Sequence, residues 1–332
     1  MSRTFALTIP LLPMPLADWV GNAYLLCRIV DTIEDDAHLS IASKKLHISA
    51  YLAALQDQSD CLAWSHDLHS ALSELTPHGE RLLIADIPAV LARLVSFPAP
   101  VQAILIRGVS IMSQGMALQQ ECVVIAQRAD LDRYCYSVAG VVGELLTELF
   151  AFYSPAIATQ KAALAPLAVS FGEGLQLTNI LKDVWEDASR GVCWLPSPKQ
   201  VAGNFAACSL EQQQQILDEH LALAHGHLRD ALRFTQLLPR REQGLRQFCL
   251  WAIGMALLTL QKIHATPQFR QSSQVKISRR QVKSIILGCQ LLGRFDGPLR
   301  LYFRWLARGL PLLQRDPLEL YQGVSAWNDI PL

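Results

Sequence analysis

One acidic pattern, D-x-x-E-D, occurs twice on segments with helical periodicity, and it constrains the fold more than any other feature of the chain. The two copies are Asp31-Thr-Ile-Glu34-Asp35 and Asp183-Val-Trp-Glu186-Asp187. Residues three and four apart lie on one face of a helix, with Cβ atoms about 5–6 Å apart. Each copy therefore predicts a cluster of carboxylates on a single helical face.

Polar side chains extend both acidic faces toward the start of their helices. Tyr24 and Arg28 precede the first motif, and Gln176 and Asn179 precede the second, all at helical spacing. On an ordinary amphipathic helix this spacing carries the apolar residues that face the core. Because the other faces of these two segments are apolar, the stripes predict helices that line an internal polar cavity. A single copy would indicate only a solvated helix face, whereas the duplication favours a functional site.

Two carboxylate clusters turned toward each other predict bound Mg²⁺. A magnesium ion held by a few carboxylates keeps several waters and completes its coordination with substrate phosphate oxygens. The candidate metal ligands are Asp31, Glu34, Asp35, Asp183, Glu186 and Asp187.

The composition limits the class of protein. Of the 332 residues 51% are hydrophobic and 17% are charged, against a usual charged share of about 25%. This indicates a large apolar interior, a cavity for an apolar ligand, or a surface that meets a membrane. The formal net charge is zero, which argues against a nucleic-acid partner. Eight cysteines without a C-x-x-C pair predict a reducing compartment, no disulfides and no zinc.

The chain lacks the sequence features of an exported or membrane-spanning protein. Pro10, Pro13 and Pro15 interrupt the first twenty residues, which show no signal-peptide pattern. No run reaches 18 uninterrupted apolar residues, so we expect no transmembrane helix. We expect a cytoplasmic protein, with peripheral contact to the inner face of a membrane as an open alternative.

Helical periodicity dominates, and strand-type alternation is almost absent. We predict one all-α domain over residues 1–332, with a catalytic core over about 2–292 and a helical tail over about 298–332. Predicted helices cover about 15–36, 41–56, 61–75, 80–95, 99–126, 130–151, 160–188, 210–236, 241–264, 278–292 and 298–308, and residues 191–204 are predicted to form a loop.

The tail has a distinct pattern in which Arg300, Arg304 and Arg308 recur among leucines and aromatic residues. Basic residues interleaved with aromatics are typical of a helix at a membrane interface. A terminal helix packed on the protein, with arginines that reach the solvent, explains the pattern equally well. Both interpretations stay open at this point.

Several collinear motifs resemble those of the squalene/phytoene synthase family, and most closely those of its squalene synthases. They cover nearly the whole chain, about residues 2 to 292. The motifs are Ser2-Arg3-Thr-Phe-Ala, the run from Tyr24 to Asp36, Met112-Ser-Gln-Gly115-Met-Ala117, the run from Tyr134 to Gly143, the run from Gln176 to Asp183, Phe248-Cys249 and Val275-Lys276-Ile277.

The resemblance implies an isoprenoid-synthase fold, with helices around a central apolar cavity and the acidic motifs near its mouth. It implies a prenyltransferase that joins two farnesyl diphosphates head to head into presqualene diphosphate, with Mg²⁺ as cofactor. In squalene synthases NADPH then reduces this intermediate to squalene.

The resemblance also assigns roles to individual residues. The implied catalytic residues are Tyr134, Arg28, Asp31, Asp35, Asp183 and Asp187. The implied substrate contacts are Ser2, Arg3, Tyr24, Arg28, Gln176, Asn179 and Lys182, and the implied NADPH contacts are Arg3, Arg28, Asn179, Lys182, Lys276 and Arg279. Without the resemblance, Tyr134 would be interpreted as a buried structural tyrosine. Gly140 and Gly143 predict close helix packing or a kink beside the pocket.

The sequence departs from the usual eukaryotic pattern in four places. Lys182 replaces an arginine, Ser278 replaces a basic residue that Arg279 could substitute, Leu-Trp follows Phe248-Cys249 where Pro-Gln is usual, and we expect no C-terminal membrane anchor. The second and third departures leave the affinity for NADPH and the final product open. One alternative is a relative that stops at presqualene diphosphate, or makes dehydrosqualene or phytoene without NADPH. A non-enzymatic alternative is a helical assembly factor on a membrane surface.

Overall fold

The computed structural model describes residues 3–57, 60–119, 125–196 and 205–329, and all regular secondary structure in these ranges is helical. The predicted all-α fold is confirmed. The helices are α1 Arg3–Thr8, α2 Leu16–Asp35, α3 Ile41–Gln56, α4 Cys61–Ala71, α5 His78–Ala85, α6 Ile87–Val95, α7 Ala99–Gln119, α8 Arg128–Cys135, α9 Val141–Tyr153, α10 Pro155–Ala158, α11 Lys161–Ser189, α12 Leu210–Leu237, α13 Gln243–Ala265, α14 Ser272–Val275, α15 Arg279–Leu292, α16 Asp296–Leu306 and α17 Pro317–Val324.

Side-chain caps define where several of these helices begin. Ser40 accepts a hydrogen bond from the backbone N–H of Ser43 at the start of α3. Ser278 and Gln281 form a reciprocal capping box at the start of α15. Such a box satisfies two backbone N–H groups that would otherwise have no partner. It fixes the start of α15, which carries Arg279 and Lys283.

The two acidic motifs lie beside different parts of the helical core. One apolar cluster joins α2 to α7, α9 and the first half of α11, and another joins the second half of α11 to α12, α13, α15 and α16. Helix α9 contacts both α2 and α11. The two motifs therefore lie beside different apolar clusters, and α11 belongs to both. The single-domain assignment itself stays a prediction.

Glycines allow α9 and the turn before it to approach α11 at backbone distance. A Cβ atom on Gly143 would lie 2.1 Å from the carbonyl oxygen of Ala168, and one on Gly172 would lie 2.2 Å from that of Ala139. Residues Tyr136–Gly140 form a π-helical turn between α8 and α9. The close packing predicted from Gly140 and Gly143 is therefore confirmed, and the alternative of a kink stays a prediction.

A C-terminal strap, residues 311–327, crosses the surface formed by α8, α9 and α12. The backbone N–H of Leu313 donates to the carbonyl of Ala222. Arg315 pairs with Asp132 of α8 at 2.8 Å. The sequence predicted a tail helix at 298–308 but no helix corresponding to α17 within the strap.

Three helices are long and apolar enough to cross a membrane by length and composition alone, so the expectation of no such segment does not hold on this criterion. In the fold their apolar windows are 50%, 56% and 72% buried, because neighbouring helices cover them. The segments are Ala99–Leu118, Arg128–Tyr153 and Gln243–Ala265.

The helix predictions fail mainly where a helix is short or interrupted. The predicted helix 80–95 is two helices that meet at Asp86, with Pro88 at the second position of α6. The short helices α1, α10 and α14 were not predicted. Residues 191–196 are non-helical as expected, and the rest of the predicted loop to residue 204 lies outside the described residues.

Candidate active site

The first acidic motif lies at the C-terminal end of α2, and Asp31 is its most buried member. Asp31 is 8% exposed and accepts a 3.1 Å hydrogen bond from Arg28. The other terminal nitrogen of Arg28 donates to Glu80 of α5. Burial raises the pKa of Asp31, and the Arg28 guanidinium opposes this shift. Arg28 is thus fixed between two carboxylates at the edge of the motif.

Glu34 lies close to the negative charges of two other motif residues, Asp31 and Asp35. Burial raises the pKa of Glu34 to about 7, and the charges of Asp35 and Asp31 act in the same direction. Lys44 and Arg190 act in the opposite direction. Because Arg190 directly follows α11, its electrostatic effect on Glu34 indicates that the end of the second acidic helix lies close to the first motif.

The second acidic motif lies at the C-terminal end of α11. Asp187 is 6% exposed and pairs with Arg190, three residues further along the chain. Burial raises the pKa of Asp187, and its hydrogen bond from Arg190 opposes the shift. Asp183 pairs with its neighbour Lys182 at 2.9 Å. The buried carboxylate and the cations around it repeat the arrangement of the first motif.

Glu186 has a contact that the sequence did not predict. One of its carboxylate oxygens accepts a 2.7 Å hydrogen bond from the backbone N–H of Ser272, at the start of α14. This hydrogen bond lowers the pKa of Glu186 against the opposing effect of burial. Glu186 therefore connects the second motif to the segment that carries Lys276, and its role as a metal ligand stays a prediction.

Tyr134 lies within electrostatic reach of both motifs. Burial raises the pKa of Tyr134 well above its usual value, and the charges of Glu34 and Asp187 raise it further. Its ring stacks on that of Trp194, with centroids 4.0 Å apart and planes 6° apart. The phenol is therefore neutral, and its ring is fixed against an aromatic partner.

The residues present fit the predicted Mg²⁺, although in the described part of the chain no three acidic, histidine or cysteine side chains converge on one point as placed. Both motifs occupy helix C-termini, where the helix dipole already disfavours negative charge. Burial acts in the same direction and raises the pKa of Asp31, Glu34 and Asp187. Carboxylate oxygens are the ligands Mg²⁺ prefers, so a bound cation would offset the charge that the fold concentrates here.

A cavity of about 810 Å³ lies next to the second motif, because Lys182, the partner of Asp183, lines it. Helices α9, α11 and α13 supply most of its wall, which is apolar and includes Phe150, Phe171 and Phe248. The volume lies in the upper part of the range of roughly 300–1,000 Å³ for small-molecule sites. The central apolar cavity expected from the resemblance is therefore present.

One side of this cavity is polar and basic. Five residues predicted to bind substrate or cofactor line it together: Gln176, Asn179, Lys182, Lys276 and Arg279. Lys283, one turn after Arg279 on α15, also lines it and was not predicted. Lys182 borders both regions, because it lines the cavity and pairs with Asp183.

The remaining predicted residues lie elsewhere or outside the described residues. Tyr24 borders a smaller cavity next to Phe5 and Phe248, two side chains that also line the main cavity. Arg28 lies with the first motif rather than in the cavity wall. Ser2 and the side chain of Arg3 fall outside the described residues, so their roles stay predictions.

Sequence reasoning missed the partners that orient the predicted residues. Arg190 and Lys283 follow Asp187 and Arg279 at helical spacing, a signal that could have been used. Glu80 and Trp194 are distant in sequence from the residues they contact. No local pattern identifies contacts of that kind.

Comparisons with known proteins agree with the all-α fold. The family model for squalene/phytoene synthase matches residues 1–281. The chain is 28% identical over 323 residues to a squalene synthase of Cyberlindnera jadinii, covering 92% of this chain and 68% of that protein. It is 26% identical over 302 residues to a squalene synthase of Homo sapiens, covering 86% of this chain and 66% of that protein.

Solved structures share the fold at low sequence identity. A structure of TcSQS with the ligand BPH1237 matches with a TM-score of 0.74 at 22% identity, covering 99% of this chain and 95% of the other. A dehydrosqualene synthase in complex with a ligand matches with a TM-score of 0.61 at 20% identity, covering 92% of this chain and 93% of the other. Together with the family match, these findings show that the chain belongs to the squalene/phytoene synthase family of prenyltransferases.

Proposed function

We propose that the chain joins two farnesyl diphosphates head to head into presqualene diphosphate and then reduces this product to squalene with NADPH. The observation that supports the proposal most directly is the combination of two buried acidic motifs with an adjoining apolar cavity of about 810 Å³. A diphosphate requires cations, and a prenyl chain requires an apolar space. The chain offers both in one region.

The charged residues at the motifs suit the release of diphosphate. Mg²⁺ bound by Asp31, Asp35, Asp183 and Asp187 would supply Lewis-acid neutralisation of the leaving group. Arg28 and Lys182 are two cations near the motifs that can donate hydrogen bonds to diphosphate oxygens. Arg28 is held in position by Asp31 and Glu80, so little rotamer freedom is lost on binding.

The apolar wall suits the cationic stage of the reaction. An allylic cation reacts with any water it meets, so the site must exclude solvent while the new bond forms. Phe150, Phe171 and Phe248 provide apolar surface in the cavity. Tyr134 adds a neutral hydroxyl near both motifs, because burial keeps its pKa high. This hydroxyl can accept a hydrogen bond or relay a proton to a nearby carboxylate.

The basic side of the cavity supports the NADPH step. Lys276, Arg279 and Lys283 line it from the α14–α15 region, together with Asn179 and Lys182 of α11. Phosphate groups of a nucleotide are bound by such a set of lysines and arginines. Glu186 holds the start of α14 through Ser272, which orients the segment that leads to Lys276.

Product analysis tests the complete proposal. Purified protein is incubated with farnesyl diphosphate and Mg²⁺, with and without NADPH, and the products are identified by gas chromatography and mass spectrometry after dephosphorylation. We expect squalene only with NADPH and presqualene alcohol without it. Presqualene alcohol or dehydrosqualene in both reactions would restrict the function to the first step. No product at all would favour the non-enzymatic scaffold.

A lysine substitution separates the two steps. Lys276→Ala should slow squalene formation at least tenfold and leave diphosphate release near normal, because Lys276 lines only the basic side of the cavity. Lys161→Ala is the matched control, since Lys161 forms an exposed pair with Glu148. Equal loss of both steps in Lys276→Ala would show that this residue binds the prenyl substrate instead.

A further inference from the structure

The charges of this chain are unevenly distributed. The whole sequence has 29 basic and 29 acidic residues, but residues 271–315 contain nine basic residues and one acidic residue, Asp296. Arg240 and Arg246 already pair with Asp296. The region around α15 and α16 is therefore strongly positive within a neutral protein.

The same two helices expose large apolar side chains. Leu287 and Leu291 of α15, Phe295 of the connecting turn, and Leu301 and Trp305 of α16 are each more than half exposed. A single exposed apolar side chain needs no explanation, but a group of five large apolar side chains on two adjacent helices does. We call this group, with the arginines beside it, the α15–α16 face.

The five side chains lie around one helix crossing. A Cβ atom on Gly288 would lie 2.5 Å from the Tyr302 hydroxyl oxygen, so the two helices pack closely at this point. Leu287 precedes Gly288 and Leu291 lies one turn after it, and Leu301 and Trp305 stand in the same relation to Tyr302. The opposite sides of the helices are buried through residues such as Ile285 and Phe303, so the exposed residues are not needed for the core.

We propose that the α15–α16 face binds the surface of an anionic lipid bilayer. Arg300, Arg304 and Arg308 are exposed and alternate with Leu301 and Trp305, which suits phosphate headgroups above acyl chains. A symmetric dimer through this face would place these arginines against their copies, and the like charges would repel each other. A nucleic acid would leave the leucines without a partner.

The face adjoins the cavity described above. Arg279, Val282 and Lys283, in the first turns of α15, line that cavity, and Leu287 and Leu291 follow one and two turns later. A hydrocarbon that leaves the cavity along α15 would therefore meet the bilayer without crossing water. This last consequence rests on the proposed function, whereas lipid binding does not.

Vesicle flotation of the full chain tests the proposal. We expect association with vesicles of phosphatidylcholine containing 30% phosphatidylglycerol, weak association with phosphatidylcholine alone, and release at high salt. Replacing Arg300, Arg304 and Arg308 together by glutamine should lower the affinity for these vesicles on the order of 100-fold. Each lost charge should lower the affinity by about tenfold or less. Deleting the tail is not a suitable test, because the strap packs on α8 through Arg315 and Asp132.

Two apolar variants complete the test. Leu291→Glu combined with Trp305→Glu should abolish flotation, whereas Leu75→Glu, at an 88% exposed leucine outside the face, should not change it. Gel filtration and the condensation assay should be unaffected in both. The proposal is overturned if the intact chain does not float with the vesicles, or if Leu75→Glu loses as much flotation as the double variant. It is also overturned if the intact chain is a dimer that only the double variant dissociates. Absence of condensation by the intact chain would instead contradict the proposed function.

Discussion

Adjacent aspartates at the end of α2 have different roles, and sequence reasoning could not distinguish them. Asp35 belongs to the acidic motif, but Asp36 is 5% exposed and accepts hydrogen bonds from the backbone N–H groups of His38, Leu39 and Ser73. It also accepts one from the Thr76 hydroxyl. The repeated D-x-x-E-D pattern predicts which carboxylates bind the metal, whereas the hydrogen bonds of Asp36 depend on a loop about 40 residues away.

Neutralising one carboxylate in each motif should stop the reaction without unfolding the protein. Asp31→Asn or Asp187→Asn should lower the turnover of farnesyl diphosphate at least a hundredfold, about 2.7 kcal/mol of transition-state stabilisation. The physical reason is the loss of a charged metal ligand at a buried position. Asp86→Asn, at an exposed aspartate between α5 and α6, is the control. Near-normal turnover in either motif variant would contradict the metal site.

Asp36 should contribute to stability rather than to catalysis. Asp36→Ala leaves buried N–H groups without an acceptor and should lower the free energy of unfolding by about 1–3 kcal/mol at neutral pH. Hydrogen bonds lower the pKa of Asp36 in the folded state, against burial, so its contribution is present above the unfolded-state pKa and is lost as pH falls. Urea denaturation at pH 7 and below pH 4 measures the difference.

The control for Asp36→Ala is its neighbour. Asp35→Ala should leave the free energy of unfolding within about 0.5 kcal/mol of the unchanged protein and still lose activity. If both variants lose the same stability, or if the deficit of Asp36→Ala is as large below pH 4 as at pH 7, the assignment of Asp36 is wrong.

At the scale of elements, long helices were predictable and their interruptions were not. Periodicity predicted α2, α3, α11 and α12 to within two residues, because each carries several turns of consistent apolar spacing. The π-helical turn between α8 and α9 depends instead on tertiary contacts. The Tyr136 hydroxyl donates to Glu144 and accepts from the backbone N–H of Ala326 in the strap.

The strap should position Tyr134 through Asp132. Arg315→Ala leaves the buried carboxylate of Asp132 without its guanidinium and should lower the free energy of unfolding by about 2 kcal/mol. Because Asp132 lies two residues before Tyr134, we also expect kcat to fall while KM changes little. Arg315→Lys should restore part of both. Steady-state kinetics and urea denaturation measure the two effects.

A neighbouring pair provides the matched control for the strap. Arg133 pairs with Asp130 on the same helix, but the arginine is 59% exposed, so Arg133→Ala should cost less than about 1 kcal/mol. A double variant of Arg315→Ala with Asp132→Asn should recover stability relative to Arg315→Ala alone. A kcat unchanged in Arg315→Ala would restrict the strap to a stabilising role.

At the scale of the molecule, the opposed motifs and the apolar cavity could be predicted, but the composition of the cavity wall could not. The duplicated motif predicts a two-sided site, and the collinear motifs predict ligand contacts for Asn179, Lys182, Lys276 and Arg279, all of which line the cavity. The structure adds Lys283 to this set. The crossing of α9, α11 and α13 decides which apolar side chains face the cavity and which face the packed core. The sequence periodicity of an apolar residue is the same whether it lines the cavity or the core.

Because α2 and the second half of α11, which carries the second motif, belong to different apolar clusters, a ligand that bridges the two motifs should stabilise the whole fold. Mg²⁺ with a non-hydrolysable farnesyl diphosphate analogue should bind only the folded state and add about 2.7 kcal/mol at a hundred times its Kd. We expect a clear rise in Tm for the two together and a small one for Mg²⁺ alone, measured by calorimetry. Asp31→Asn combined with Asp187→Asn should abolish the rise. An equal rise in this double variant would show that the analogue binds in the apolar cavity without connecting the two helices.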